Sequence, residues 1–208
     1  MTILLDVALV GGGVLLGRWV ARRIWGRRTP PAPERRTASR PAASPAVTIP
    51  ASFPCHLGDV LIRTAGHDEA WLAGALVFSE DAVVAALFVA PEAGGDRAVF
   101  VRDAGSAEVA WLAPIAKADL PLPAEPPFTV EVAGMRYERA RRHPVKVARL
   151  GSGAPSVGAQ AIVAEYRGAG NERLVVVAGP EEVLAFRGEA LGEGEYDVLP
   201  GGKSTLEA

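Results

Sequence analysis

Phe128-Thr129-Val130-Glu131-Val132-Ala133-Gly134-Met135-Arg136-Tyr137 decides the fold class of this chain. Apolar and polar residues alternate over 128–132, which suits an extended segment with one buried and one wet face. Ala133-Gly134 then provides a tight turn, and a second extended segment resumes over 135–139. Similar short apolar segments recur upstream at 58–63, 71–79, 83–89, 98–102 and 109–112. Downstream they recur at 145–150, 159–166, 173–178, 183–186 and 189–191. Turn-forming runs separate them, among them Pro91-Glu92-Ala93-Gly94-Gly95-Asp96 and Arg167-Gly168-Ala169-Gly170-Asn171. No segment beyond Gly26 carries a long helical period. The expected fold is all-β, an antiparallel sandwich or an open barrel. Leu120-Pro121-Leu122-Pro123-Ala124-Glu125-Pro126-Pro127 divides it into halves 51–120 and 128–202, which share one core or build two.

N-terminal to this domain the character of the chain changes twice. Residues 3–17 form an almost uninterrupted apolar run, followed at once by Arg18, Arg22, Arg23, Arg27 and Arg28. At ~1.5 Å per residue the run spans roughly 25 Å, enough for one short membrane helix. A signal peptide places its basic residues ahead of the apolar core, whereas here they come after it. Positive charge marks the cytoplasmic side, so the expected topology is a single-pass inner-membrane anchor over 1–28, with the N-terminus outside and the body in the cytoplasm. A cleaved signal peptide and a peripheral helix are the alternatives. Gly13 and Gly17 form a small-xxx-small pair through which two such helices could weakly self-associate. Residues 29–50 are rich in Pro, Ala and Arg and read as a disordered tether. Its arginines Arg35, Arg36 and Arg40, with Arg27 and Arg28, are placed to lie along an anionic membrane surface. Residues 203–208 read as a disordered tail.

Charge separates the two parts of the chain. Up to residue 50 there are 8 arginines against Asp6 and Glu34, about +6. From Ala51 onward 22 acidic residues face 14 basic ones, about −8. An acidic body is repelled by nucleic acid, so that partner class is excluded. The single cysteine, Cys55, rules out an internal disulfide and suits a reducing compartment.

Chemical motifs are weak. Cys55-His56 are neighbours that would point to opposite faces of a strand, and no second cysteine supplies zinc-site spacing. His67-Asp68-Glu69 falls at an expected turn, and His143 stands apart from both. Gly151-Ser152-Gly153-Ala154-Pro155-Ser156-Val157-Gly158 lacks dinucleotide spacing and a following helix. Gly201-Gly202-Lys203-Ser204-Thr205 imitates the end of a P-loop but lacks its first glycine, where Asp197 stands. No catalytic residue, metal ligand or cofactor is assigned. The one basic cluster on the acidic body runs from Arg136 to His143. Within it Arg139, Arg141 and Arg142 are expected to follow a strand and to present a docking surface for a protein partner. The acidic stretch 181–197 could attract cations, and equally serves solubility.

Gly58-Asp59-Val60, Trp71 with Phe78-Ser79-Glu80, Leu87-Phe88-Val89, Trp111-Leu112 and Ala164-Glu165-Tyr166-Arg167-Gly168 resemble a bacterial all-β family known only as a domain of unknown function. The resemblance spans most of 53–202 and rests on short motifs. It implies a small membrane-associated companion protein, some relatives of which accompany polyamine-synthase-like proteins. It transfers no catalytic residue. The expected function is therefore a membrane-tethered, non-enzymatic interaction module at the inner membrane face. A sensor of a small ligand, such as a cationic metabolite or polyamine, is the alternative, and an enzyme of unknown class comes third.

Overall fold

The computed structural model describes residues 47–66, 68–92, 96–102, 108–120 and 122–201. The expected anchor with Gly13 and Gly17, the tether through residue 46 with Arg27, Arg28, Arg35, Arg36 and Arg40, His67, and the tail 203–208 lie outside the described residues. Among the described residues there are strands and no helix long and apolar enough to cross a membrane.

Twelve strands are described, and every pairing among them is antiparallel. A first meander consists of β3 (Gly74–Ser79), β4 (Val83–Ala90), β5 (Arg97–Arg102) and β6 (Val109–Ile115). A second consists of β8 (Met135–Gly151), β9 (Gln160–Arg167), β10 (Glu172–Ala178) and β11 (Val183–Leu191). The last strand of each pairs with the last of the other, β6 with β11, and the first with the first, β3 with β8. The two halves thereby close into one eight-stranded barrel. Closure removes the exposed edges that an open sheet would leave for unwanted pairing. Strand β7 (Thr129–Val132) extends the sheet at the start of β8. Strands β12 (Tyr196–Leu199), β1 (Val60–Arg63) and β2 (Glu69–Trp71) form a separate three-stranded sheet in that order.

The 17 residues of β8 make closure possible, because one strand pairs with β7 near its start, with β9 along its middle and with β3 at its end. The extended segments read at 135–139 and 145–150 belong to this single strand. The run of charge between them hides the continuity. An open barrel or sandwich is thus replaced by a closed barrel. Residues 71–79 are divided in the opposite way, because Trp71 ends β2 in the small sheet and Gly74 begins β3 in the barrel. Residues 183–186 and 189–191 merge across Gly188 into β11.

Three apolar clusters follow from this topology. The barrel interior takes side chains from both halves, including Leu76, Phe78, Leu87, Phe100, Leu112, Val163, Val177 and Phe186. The two halves therefore share one core. A second cluster lies on the outer face of the first half, where Ile49, Phe53, Cys55, Leu61 and Leu72 cover Val77, Phe88, Val99 and Trp111. A third lies on the outer face of the second half, where Val130 and Val132, with Ile115 and Leu122 packed against them, cover Tyr137, Tyr166, Leu174 and Val176. Tyr137 and Tyr166 are fully buried by mass, yet their hydroxyls donate to Glu172 Oε2 (2.7 Å) and to the Pro127 carbonyl (2.7 Å). A buried phenol without such an acceptor would be costly. The Tyr166 bond ties the covering segment to the outer face, and the Tyr137 bond joins β8 to the start of β10.

Cys55 is fully buried in the second cluster, and burial, then the nearby Asp59 charge, push its thiol up to about 12. Its thiolate is the reactive species, so the folded protein should resist alkylation across the usual pH range. Maleimide labelling at pH 8 is expected to proceed only after denaturation. Rapid stoichiometric labelling of the native chain would contradict this burial.

Candidate functional site

Inward-facing positions alternate along each barrel strand, and through most of the barrel they are apolar. At one end these rows finish in charge. Arg102 continues the row of Ala98 and Phe100 on β5, and Glu108 precedes Ala110 and Leu112 at β6. Arg141 and His143 precede Val145 on β8, Glu165 and Arg167 follow Ala161 and Val163 on β9, and Arg173 precedes Val175 on β10. The result is a cavity of about 180 Å³ at the mouth of the barrel. Phe100, Ala110 and Val175 contribute its apolar floor, and Arg102, Arg141, Arg167, Arg173, Glu108 and Glu165 its charged wall.

Four guanidiniums thus face two carboxylates. Arg102 Nε lies 3.2 Å from Glu165 Oε1, and Arg173 lies 3.5 Å from Glu108. Arg102 Nε is buried and, despite this ion pair, makes no aligned hydrogen bond. Among the described residues Arg141 and Arg167 form no ion pair. Burial raises the Glu165 pKa above the ordinary carboxylate value, an effect opposed first by Arg102 and then by Arg141, His143 and Arg167. Beside the wall, His143 Nδ1 lies 3.0 Å from Glu80 Oε1, while its Nε2 is buried without a hydrogen-bond partner.

The three arginines expected to form one docking surface are divided between two faces. They lie within β8 rather than after a strand, and a β-bulge falls between Arg139 and Arg141. The extra residue, Ala140, shifts which side chains face inward. Arg139 turns outward, donates to the Pro126 carbonyl at 2.6 Å and lies 5.9 Å over the Phe128 ring. Arg142 also turns outward and grips Glu125 with two bonds of 2.8 and 3.0 Å. That grip lowers the Glu125 pKa. Arg141 alone lines the mouth. Both outward arginines therefore fasten the 125–128 segment to the barrel, while the third faces the cavity.

The remaining sequence candidates are dispersed. Cys55 is sealed in the second cluster, and the His56 amide donates to Asp59. The glycine-rich segment after β8 turns the chain toward β9, with the Arg149 guanidinium held by the Ala154 carbonyl. Among the described residues no group of three or more His, Cys, Asp or Glu side chains is arranged to hold a metal ion. Arg102 and Arg173 were not singled out from sequence, and Glu165 and Arg167 entered only within the family-like segment 164–168, with no site role. Their one signal is that each charge ends or begins an alternating apolar row, and only the topology brings those row ends together.

Fold and site together define an antiparallel eight-stranded β-barrel domain with a charged mouth. Comparison with protein-family models, with curated proteins and with solved structures gave no match.

Proposed function

We propose that the chain is a membrane-tethered, non-enzymatic domain that binds a small molecule in the mouth of its barrel. The observation that carries this reading is the mouth itself, a cavity with an apolar floor and a charged wall where the inward rows of the barrel end. Eight-stranded barrels have an interior that side chains just fill, or that holds one small ligand. Here the filling stops short at one end. The wall is dominated by guanidiniums, which keep their charge and do not exchange protons near neutral pH. That favours holding a ligand over transforming it.

The apolar run at 3–17 and the arginines behind it support tethering at the inner membrane face, with the barrel on the cytoplasmic side. Membership of the domain-of-unknown-function family belongs to the same proposal. A docking role for a protein partner through Arg139, Arg141 and Arg142 ranks second, because two of these groups are engaged by Glu125 and Pro126.

The test is a thermal-shift screen of the detergent-solubilised chain against anionic, neutral and cationic metabolites. A compound at 100 times its Kd adds about 2.7 kcal/mol, which should raise the melting temperature by roughly 5–10 °C for a chain of this size. The shift should disappear in Arg102→Ala/Glu165→Ala with its circular dichroism spectrum retained. A panel in which no compound moves the melt, or in which the shift survives this pair of substitutions, would remove the reading.

A further inference from the structure

We infer that the mouth selects a small molecule bearing a carboxylate or phosphate group, and that Glu165 is the internal anion which that group displaces from Arg102. This inference rests on the ligand-binding reading and specifies its ligand. It also reverses the sign of the cationic metabolite or polyamine given above as the alternative.

The charge arrangement carries the argument. The body as a whole has an excess of acid, about −8 from Ala51 onward, yet the mouth gathers four arginines against two glutamates. A cleft with one excess sign and low-dielectric walls focuses its field, so the local sign and not the net charge selects the ligand. A polyamine entering here would bring more positive charge against four guanidiniums. An oxyanion would find two of them, Arg141 and Arg167, unpaired among the described residues. Guanidinium forks match carboxylate and phosphate oxygens geometrically, which gives orientation as well as attraction.

Glu165 supplies the second part. Its carboxylate already makes the contact a ligand oxyanion would make, 3.2 Å from Arg102 Nε, but without an aligned hydrogen bond. It is half-buried on the inner face, where burial disfavours its charged form and Arg102 is its one close partner. An imperfectly bonded internal anion is a weaker partner for Arg102 than a ligand free to align both of its oxygens. The cavity of about 180 Å³ is small, which suits a compact metabolite.

The experiment is calorimetric titration of the full chain in a neutral detergent at low salt, with inorganic phosphate, succinate and spermidine as probes. Saturable binding of phosphate or succinate supports the inference, and the stronger of the two identifies the anion class. Arg141→Gln/Arg167→Gln changes two exposed side chains and should weaken anion binding about tenfold while leaving the melting temperature unchanged. Glu165→Gln removes the competitor at nearly constant shape and should strengthen it severalfold. The cationic alternative requires Glu165→Gln to weaken binding, so the two readings differ in sign. Spermidine binding that is lost in Glu165→Gln would overturn this inference and leave the ligand-binding reading standing. Anion binding unaffected by the double arginine variant would also overturn it. Failure of all three probes to bind overturns the inference, and the ligand-binding reading then stands or falls on the metabolite screen.

Discussion

Gly188→Ala is expected to cost about 3 kcal/mol and to lower the melting temperature by roughly 6–12 °C. Gly188 lies on β11 opposite Leu112 of β6, at one of the two seams that join the meanders. A Cβ there would overlap the Trp111 carbonyl oxygen and crowd the Leu112 Cα. These are backbone atoms of a strand paired along its length, so they cannot move aside as a flexible side chain would. Relief would require the seam itself to open. The other seam has the same character, because Gly74 of β3 pairs with Gly151 of β8. A Cβ on Gly74 would strike the Ser152 carbonyl, and one on Gly151 the Ala73 carbonyl. Gly134 is the control. It has a φ of 76° but nothing within 4 Å of a built Cβ, so Gly134→Ala should cost only the left-handed backbone penalty of about 1–2 kcal/mol. Thermal and urea melts of the three proteins distinguish the cases. A Gly188→Ala protein that melts within a degree or two of the parent would mean that the seam relaxes freely and does not hold the barrel shut.

The same seams explain what could and could not be read from the sequence. Alternation at 128–132, the apolar segment at 159–166 and the turn at Ala133-Gly134 are local properties, and the strands formed there follow them closely. Closure depends on pairing Gly74 with Gly151 and Leu112 with Gly188, positions separated by some seventy residues or more, and no local pattern encodes that. Long charged side chains compound the difficulty. Over 136–143 they interrupt the apolar rhythm of β8, although the backbone remains extended throughout. The bulge at Ala140 then reverses the facing of everything after it, so Arg139 and Arg141 cannot be assigned to faces by counting in twos. The mouth is illegible for a related reason. Arg102, Arg141, Glu165 and Arg173 sit on four different strands, and each alone resembles a solvated strand end.

Asp59→Ala is expected to cost about 3 kcal/mol, on the basis of two charge-assisted bonds worth roughly 1.5–3 kcal/mol each and discounted for partial solvent access. Asp59 is the one buried charged residue among the described residues, at 8% exposure. Its Oδ2 accepts the His56 amide at 2.6 Å, and its Oδ1 accepts the Gly201 amide at 2.8 Å, 142 positions away. One carboxylate therefore fastens the segment before β1 to the segment after β12. The neighbouring glycines serve the same closure. Gly58 takes a φ of 89° and donates to the Leu72 carbonyl at 2.9 Å, and a Cβ on Gly201 would overlap the Gly58 carbonyl. The Gly58-Asp59 pair that drew attention in the sequence thus acts as a structural clip. Its loss should fall first on the three-stranded sheet, since the barrel ladder closes without it. Hydrogen exchange should accelerate at Gly201 and through β1 and β12, while amides of β9 and β10 keep their protection. Asp59→Asn retains one acceptor oxygen, so it should lose about half as much stability. Unchanged exchange at Gly201 in Asp59→Ala, together with a denaturation midpoint equal to the parent's, would show that the clip contributes nothing and that the outer apolar cluster alone holds the small sheet in place.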